Sequence, residues 1–297
     1  MQSNHVSSTH WEERLLIGVL LAASGAAIFL FGNNWTSAFS TNSSTLYKWG
    51  LAMLLLALSL LFRRTTRLGS YWPVAYALFV AAFANALSWN LGNWLARLLP
   101  PLHAPALALA VDKLSQAIPV TAAILLLTLL VDDDLAALLL RGGDRAKSLR
   151  FGLISFSVWA VLFAVIAVLP ANSTTTTGLF AGGVPLSRIV AALPWFLVFV
   201  FANAIMEELW FRGVFLKKLH PLLGTLVTIV VTAFVFALPH AGARYAAPAE
   251  QILFSVVVLT LGLVNAWAML QTKNIWGSVL FHAGYDLMVV IPVLLSG

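Results

Sequence analysis

Asn203-Ala-Ile-Met-Glu-Glu-Leu-Trp-Phe-Arg-Gly-Val-Phe-Leu-Lys-Lys218 places two adjacent carboxylates inside a long apolar segment that begins near Ile189. Ionisable groups at membrane depth cost free energy, so they indicate function. Glu208 and Arg212 lie four residues apart, with the acid N-terminal to the base, the favourable order for a helical ion pair. Glu207 points about 100° away. We predict that Arg212 holds Glu208 and that Glu207 is free to react, although this stretch alone is equally compatible with a purely structural charge cluster.

The composition indicates a membrane protein. Of the 297 residues, 61% are hydrophobic and 9% are charged, whereas an ordinary soluble domain carries about 25% charged residues. The net charge of +6 does not indicate nucleic-acid binding, because the basic residues fall in short loops between apolar runs. The chain contains no cysteine, which excludes disulfides, thiol nucleophiles and thiolate metal sites.

The apolar runs predict an all-α, polytopic transmembrane helical bundle with about eight or nine spanning helices. A connector at 102–116 and an amphipathic cytoplasmic helix at 135–147, capped by the acidic triplet 132–134, interrupt the spans. The nine predicted helices cover 14–31, 46–62, 71–99, 117–131, 151–169, 186–219, 225–238, 250–271 and 275–294.

The distribution of Lys and Arg predicts the orientation. With the N-terminus in the cytoplasm, eleven basic residues fall on the cytoplasmic side and five on the other side. This asymmetry follows the positive-inside rule. We therefore expect a multi-pass protein of the cell membrane with a cytoplasmic N-terminus.

Two further polar clusters lie in the last third of the chain. Phe236 and His240 share a helical face, as do His282 and Asp286, so that Asp286 can hold one ring nitrogen of His282. Glu207 and His240 are equidistant from the predicted turn at 223–224, which places them at the same height in a helical hairpin. Counting from the basic loops also puts Glu207 and His282 at a similar depth, roughly 15 Å from the membrane boundary.

These residues together resemble a known family. Glu-Glu-x-x-x-Arg at 207–212, Phe-x-x-x-His at 236–240 and His-x-x-x-Asp at 282–286 resemble the three motifs of the CPBP family of intramembrane proteases. That family includes CAAX prenyl proteases of the Ras-converting type and bacteriocin-processing proteins. The resemblance covers about 186–294, and we predict a catalytic domain at 186–297 preceded by N-terminal transmembrane helices at 1–185.

The resemblance implies an intramembrane endopeptidase that cuts a membrane-associated peptide or protein, such as a prenylated CAAX tail. By it, Glu207 is the general base, Glu208 and Arg212 support the site, His240 and His282 orient the water or stabilise the oxyanion, and Asp286 positions His282. The family is often called a metalloprotease family. Glu207, His240 and His282 could supply three ligands to Zn²⁺ and leave a fourth position for water, yet a metal-free glutamate mechanism fits the same residues.

Other functions remain open at this stage. A non-enzymatic scaffold or a bacteriocin-immunity protein could keep the motifs for structure. An ion-coupled transporter also uses buried carboxylates and histidines, but the chain shows no internal repeat of the kind found in transporters. The sequence lacks the His-Glu-x-x-His helix of zinc proteases and a Gly-x-Ser-x-Gly elbow.

Overall fold

The computed structural model describes residues 11–31, 40–132, 134–168, 184–240 and 248–295, and within them the chain is helical with no β-strand. Eight helices within these described ranges are long and apolar enough to cross a membrane, which confirms the predicted all-α bundle. The helices are α1 (Trp11–Phe29), α2 (Thr41–Arg64), α3 (Trp72–Leu91), α4 (Trp94–Leu98), α5 (Pro105–Asp132), α6 (Arg145–Val168), α7 (Leu186–Glu208), α8 (Leu216–His240), α9 (Pro248–Thr272), α10 (Trp276–Val289) and α11 (Ile291–Leu295).

The first and fourth predicted spans differ from the structure. Helix α1 has 19 residues, but its first turn contains Glu12, Glu13 and Arg14, and it is not among the eight candidate spans. Helix α5 includes residues 105–116 of the predicted connector at 102–116, so it is much longer than the predicted helix 117–131. Its inner Pro119 does not end it, because neighbouring groups in a membrane bundle can satisfy the backbone that a proline frees.

The amphipathic helix predicted at 135–147 does not form. A short 3₁₀ turn at Leu135–Leu138 takes its place, and Asp134 caps that turn by accepting a hydrogen bond from the Ala136 amide at 2.9 Å. Leu139 then adopts a left-handed conformation with φ 61°. The backbone therefore leaves the helical path before the apolar residues can form one face, and α6 begins at Arg145.

The helix that carries the two glutamates is interrupted after Glu208, whereas the sequence predicts one continuous helix over 186–219. Helix α7 ends at Glu208, and a single π-helical turn spans Leu209–Gly213 before α8 begins. The Val214 amide donates to the Leu209 carbonyl at 3.0 Å, which is the five-residue spacing of a π turn. Helix α8 has a sharp kink at Gly224, whose φ of 70° suits glycine.

The helices that carry the three motifs pack against N-terminal helices. Helix α10 lies against α6 and α7, α8 lies between α1 and α9, and α5 contacts both α3 and α7. At the α6–α10 contact, a side chain at Gly277 would collide with the Ser148 carbonyl oxygen, so glycine is what allows the two backbones to approach. The division at residue 185 remains a prediction, and close contacts cross it.

Candidate active site

Three helices bring the three motifs to one place. Glu207 and Glu208 end α7, His240 ends α8, and His282 and Asp286 lie in the middle of α10. The predicted equal depth of Glu207 and His240 agrees with the structure, because Glu207 Oε2 lies 3.8 Å from His240 Nε2. The six residues predicted for the site therefore form one cluster.

Glu208 is the centre of a buried hydrogen-bond network. Its Oε1 accepts from Arg212 Nη1 at 2.7 Å, from His282 Nδ1 at 2.7 Å and from Asn265 Nδ2 at 3.0 Å. Glu208, Arg212 and Asn265 are fully buried, and His282 is 2% exposed. The predicted Glu208–Arg212 pair is present, and it also fixes the ring of His282.

The guanidinium of Arg212 stacks on the ring of Phe236. Its Cζ lies 3.9 Å from the centroid of that ring, which is fully buried. An arginine over an aromatic face gains electrostatic attraction, and the gain is larger when water is excluded. The ring of Phe236 also contacts the imidazoles of His240, which is tilted against it, and His282, which is nearly perpendicular to it, at centroid distances of 4.7 Å and 5.7 Å. The aromatic residue of the second motif is therefore the surface against which Arg212 and the two histidines pack.

Glu207 differs from its neighbour, as predicted. Its Oε2 is buried and has no hydrogen-bond partner within the described part of the chain. Its closest polar neighbours are the Nε2 atoms of His240, at 3.8 Å, and His282, at 3.7 Å. These separations are too long for direct hydrogen bonds. Glu207 is thus the carboxylate that faces both imidazoles without being committed to either.

In both histidines, Nδ1 makes a hydrogen bond within the protein. His240 Nδ1 lies 2.8 Å from the Phe236 carbonyl oxygen, and His282 Nδ1 lies 2.7 Å from Glu208 Oε1. Because each of those partners is an acceptor, each Nδ1 carries the proton and donates it. The Nε2 atoms of both rings are thereby directed toward Glu207.

Asp286 occupies a different role from the one its spacing suggests. The sequence places it where it could hold a ring nitrogen of His282, but its Oδ1 lies 3.7 Å from Nε2, at ion-pair rather than hydrogen-bond distance. The hydrogen bond that orients the ring comes from Glu208 instead. Asp286 Oδ2 accepts from Asn203 Nδ2 at 2.8 Å. Asp286 therefore contributes its charge near Nε2 while Asn203 holds its carboxylate.

Two site residues are missing from the sequence-based prediction. Asn203 binds Asp286, and Asn265 on α9 binds Glu208. The available signal is weak: each is a carboxamide inside a long apolar run, which is typical of interhelical hydrogen bonding in membranes. No motif includes either residue, so only the folded arrangement shows that both hold carboxylates of the site.

Zinc bound by Glu207, His240 and His282 is one of the two alternatives that the sequence leaves open. In the described ranges, no group of three or more His, Asp or Glu residues has an arrangement that could hold a metal ion. His240 and His282 face Glu207, but each separation exceeds 3.6 Å, whereas ligands at about 2 Å from a tetrahedral zinc lie closer to one another. The placement of these side chains therefore gives no support to the zinc alternative, which stays a prediction.

Residues 189–288 match the family model described as type II CAAX prenyl endopeptidase Rce1-like. This segment contains all three motifs, so the resemblance predicted from them is confirmed over this third of the chain. The match supports a CAAX-type protease activity, and the eight apolar helices agree with a multi-pass membrane protein. No curated protein and no solved structure matches the chain.

Proposed function

We propose that this protein is an intramembrane endopeptidase in which Glu207 activates water to hydrolyse a peptide bond of a membrane-associated substrate. The observation that carries the proposal is the position of Glu207 Oε2, which lies 3.7 Å and 3.8 Å from two imidazole nitrogens and is hydrogen-bonded to neither. Polar groups at such separations are suited to share one water molecule. The family match supports a CAAX-type substrate, and we infer a prenylated C-terminal tail.

Glu207 acts as the general base. Its carboxylate takes a proton from water while the water oxygen attacks the carbonyl carbon of the scissile bond. The carbonyl oxygen becomes an oxyanion in the tetrahedral intermediate. The proton then passes from Glu207 to the leaving nitrogen as the carbon–nitrogen bond breaks, which restores the carboxylate. Arg212 makes its ion pair with Glu208, at 2.7 Å between Nη1 and Oε1, and not with the carboxylate of Glu207.

The histidines act through their Nε2 atoms. Carboxylates lie at both nitrogens of His282, with Glu208 at 2.7 Å from Nδ1 and Glu207 and Asp286 at 3.7 Å from Nε2. A protonated His282 is thus paired on both sides, and its Nε2–H can donate to the oxyanion. His240 holds its proton on Nδ1 against the Phe236 carbonyl, so its neutral Nε2 can accept a hydrogen bond from the attacking water.

The proposal includes the cell membrane as location and a cytoplasmic N-terminus. The distribution of basic residues supports this orientation, and so does their position in the structure. Arg14 lies beside the kink at Gly224, and one cavity is lined by Arg141, Lys217 and Lys273. These four residues belong to four different predicted cytoplasmic segments.

Cleavage by the purified protein tests the proposal. The full-length chain would be reconstituted in lipid vesicles with a prenylated CAAX peptide and a panel of membrane peptides. Wild type would be compared with E207Q, which keeps the size of the side chain and removes the base. The matched control is D112N, which neutralises an exposed acid of α5 outside the cluster.

We expect E207Q to lose at least about a thousandfold in cleavage rate, because a general base and the water that it positions both contribute. D112N should cleave as wild type does. Cleavage that survives in E207Q would remove Glu207 from its proposed role. If a cellular phenotype of the protein persists in E207Q while cleavage is lost, the scaffold interpretation is favoured.

A further inference from the structure

A basic cavity lies at the end of the bundle, well away from the glutamates. Its volume is about 510 Å³, and we use the name basic cavity for the space between the 139–143 loop, the first turns of α8 and the α9–α10 turn. Lys217 follows Glu207 by ten residues and Lys273 precedes His282 by nine. At 1.5 Å per residue, the cavity is roughly 15 Å from the proposed active site along the helices.

The walls of the basic cavity are fixed by hydrogen bonds between segments that are distant in the sequence. The Asp144 amide donates to the Thr272 carbonyl at 2.7 Å, and the Ile275 amide donates to the Leu139 carbonyl at 3.0 Å. The Asn274 side chain donates to the Gly142 carbonyl at 3.1 Å. Three hydrogen bonds thus hold the loop against the α9–α10 turn, and the shape of the cavity is preformed.

The cavity concentrates positive charge. Arg141, Lys217 and Lys273 line it together with His220, all four are solvent-exposed, and no carboxylate occurs among its described lining residues. Lys217 Nζ donates one hydrogen bond to the Ala136 carbonyl at 3.2 Å, which holds the ammonium at the rim.

The acids closest along the chain do not line this cavity, and one of them, Asp134, lines a neighbouring cavity together with Lys217. Asp144 directly follows the loop, but its Oδ1 accepts from the Lys147 amide at 2.9 Å, as the cap of α6. The three permanent cations come from three chain segments, and no carboxylate of the described residues lines the space between them.

The floor of the cavity is apolar. Leu139 and Met269 are buried beneath it, and Leu270 and Pro221 complete that side. A free inorganic anion gains nothing from such a surface, whereas a lipid can place its glycerol and upper acyl chain there. Basic pockets between transmembrane helices on the cytoplasmic side are suited to phosphate headgroups.

We propose that the basic cavity binds the phosphate headgroup of an anionic phospholipid, with Arg141, Lys217 and Lys273 as its ligands. This site is separate from the glutamate cluster, and the proposal does not rest on peptidase activity. Bound lipid would tie the 139–143 loop to the start of α8, which follows the π turn after Glu208, and to the α9–α10 turn, which precedes His282.

Lipid binding to the purified full-length protein tests this proposal. Native mass spectrometry would count bound lipids, and thermal unfolding in detergent would measure stabilisation. The probes are phosphatidylglycerol, phosphatidylcholine with the same acyl chains, and inorganic phosphate. The cavity variant is R141Q/K217Q/K273Q. The matched control, R64Q/R67Q/R150Q, removes the same charge from exposed basic residues outside the cavity.

We expect wild type to retain phosphatidylglycerol in preference to phosphatidylcholine. The cavity variant should bind it about a hundredfold more weakly, at about 1 kcal/mol for each removed charge. The control variant should bind within threefold of wild type. K217R/K273R should also bind, because arginine keeps the charge and recognises phosphate.

Three results would overturn the proposal. The first is that wild type binds phosphatidylglycerol no better than phosphatidylcholine, a result that does not depend on whether the cavity variant folds. Equal loss in the cavity and control variants would show that only the overall charge matters. Stabilisation by inorganic phosphate that equals the lipid effect would identify a soluble anion, rather than a lipid, as the ligand.

Discussion

Glu207 and Glu208 are adjacent, yet alanine should lower the stability of the protein at position 208 and remove only its cleavage activity at position 207. Glu208 Oε1 accepts hydrogen bonds from Arg212, His282 and Asn265, all within 3.0 Å and all buried. E208A therefore leaves a guanidinium, an imidazole and a carboxamide without their acceptor. Glu207 Oε2 has no hydrogen-bond partner in the described structure, and its side chain is 12% exposed. E207A removes the proposed base but breaks no hydrogen bond at that oxygen.

The structure sets the size of this difference. Removing one partner of a buried ion pair costs about 3–5 kcal/mol, because the other charge stays buried without compensation. Arg212 is fully buried, so E208A falls in this range. For a chain of this size, that corresponds to a drop in Tm on the order of 10 °C. E207A should cost less than about 1 kcal/mol, which is typical of a substitution that disrupts no buried network.

Two assays on the same samples check the pair of variants. Thermal unfolding in detergent, at one fixed scan rate because membrane proteins often unfold irreversibly, can be followed by the 11 tryptophans. Cleavage of the prenylated peptide is measured below the lower Tm. We expect E207A to keep the Tm of wild type and lose cleavage. A loss of Tm in E207A as large as that in E208A would refute the division of roles drawn from the hydrogen bonds.

Three further predictions follow from individual contacts. D286N should keep its hydrogen bond from Asn203, since a carboxamide oxygen can also accept it. The cleavage rate should therefore fall by tenfold or less in D286N and by much more in D286A. Equal losses of cleavage rate in the two variants would contradict the role of that hydrogen bond. Chelators should leave cleavage unchanged in wild type, and activity that is lost and then restored by Zn²⁺ would contradict the metal-free mechanism. G277A should lower the Tm by several degrees because its Cβ would meet the Ser148 carbonyl oxygen, while G50A, with no atom within 4 Å of the added Cβ, should leave Tm unchanged or raise it.

Hydropathy and counting from turns predict most of the helices and the convergence of the three motifs. They succeed because long apolar runs in a membrane have to be helical, and because the rise per residue is constant. They fail at 135–147, where the leucines and alanines favour a helix. There the Asp134 side chain closes a tight turn and the left-handed Leu139 ends it. A side chain that competes for backbone amides is a local effect that periodicity does not detect.

The error at Asp286 has a different cause. The spacing of His282 and Asp286 correctly predicts that the two side chains are close, and His282 Nε2 lies 3.7 Å from Asp286 Oδ1. Spacing within one helix does not reveal which partner from another helix comes nearer. Glu208 reaches His282 at 2.7 Å, and Asn203 takes the carboxylate of Asp286. Tertiary contacts therefore decide the hydrogen bonds, while the local pattern decides only which residues are candidates.

The N-terminal helices contact the helices that carry the three motifs at backbone distance, although the family match begins only at residue 189. A Cβ added to Gly284 on α10 would lie 2.9 Å from the Phe156 Cα of α6. The Trp210 indole, two residues after Glu208, donates to the Ala81 carbonyl of α3 at 3.1 Å. Membrane helices associate through such close packing of small residues, since burial from lipid supplies no hydrophobic drive. A shift of α6 or α3 would therefore move His282 relative to Glu208, so the geometry of the site depends on helices outside the matched segment.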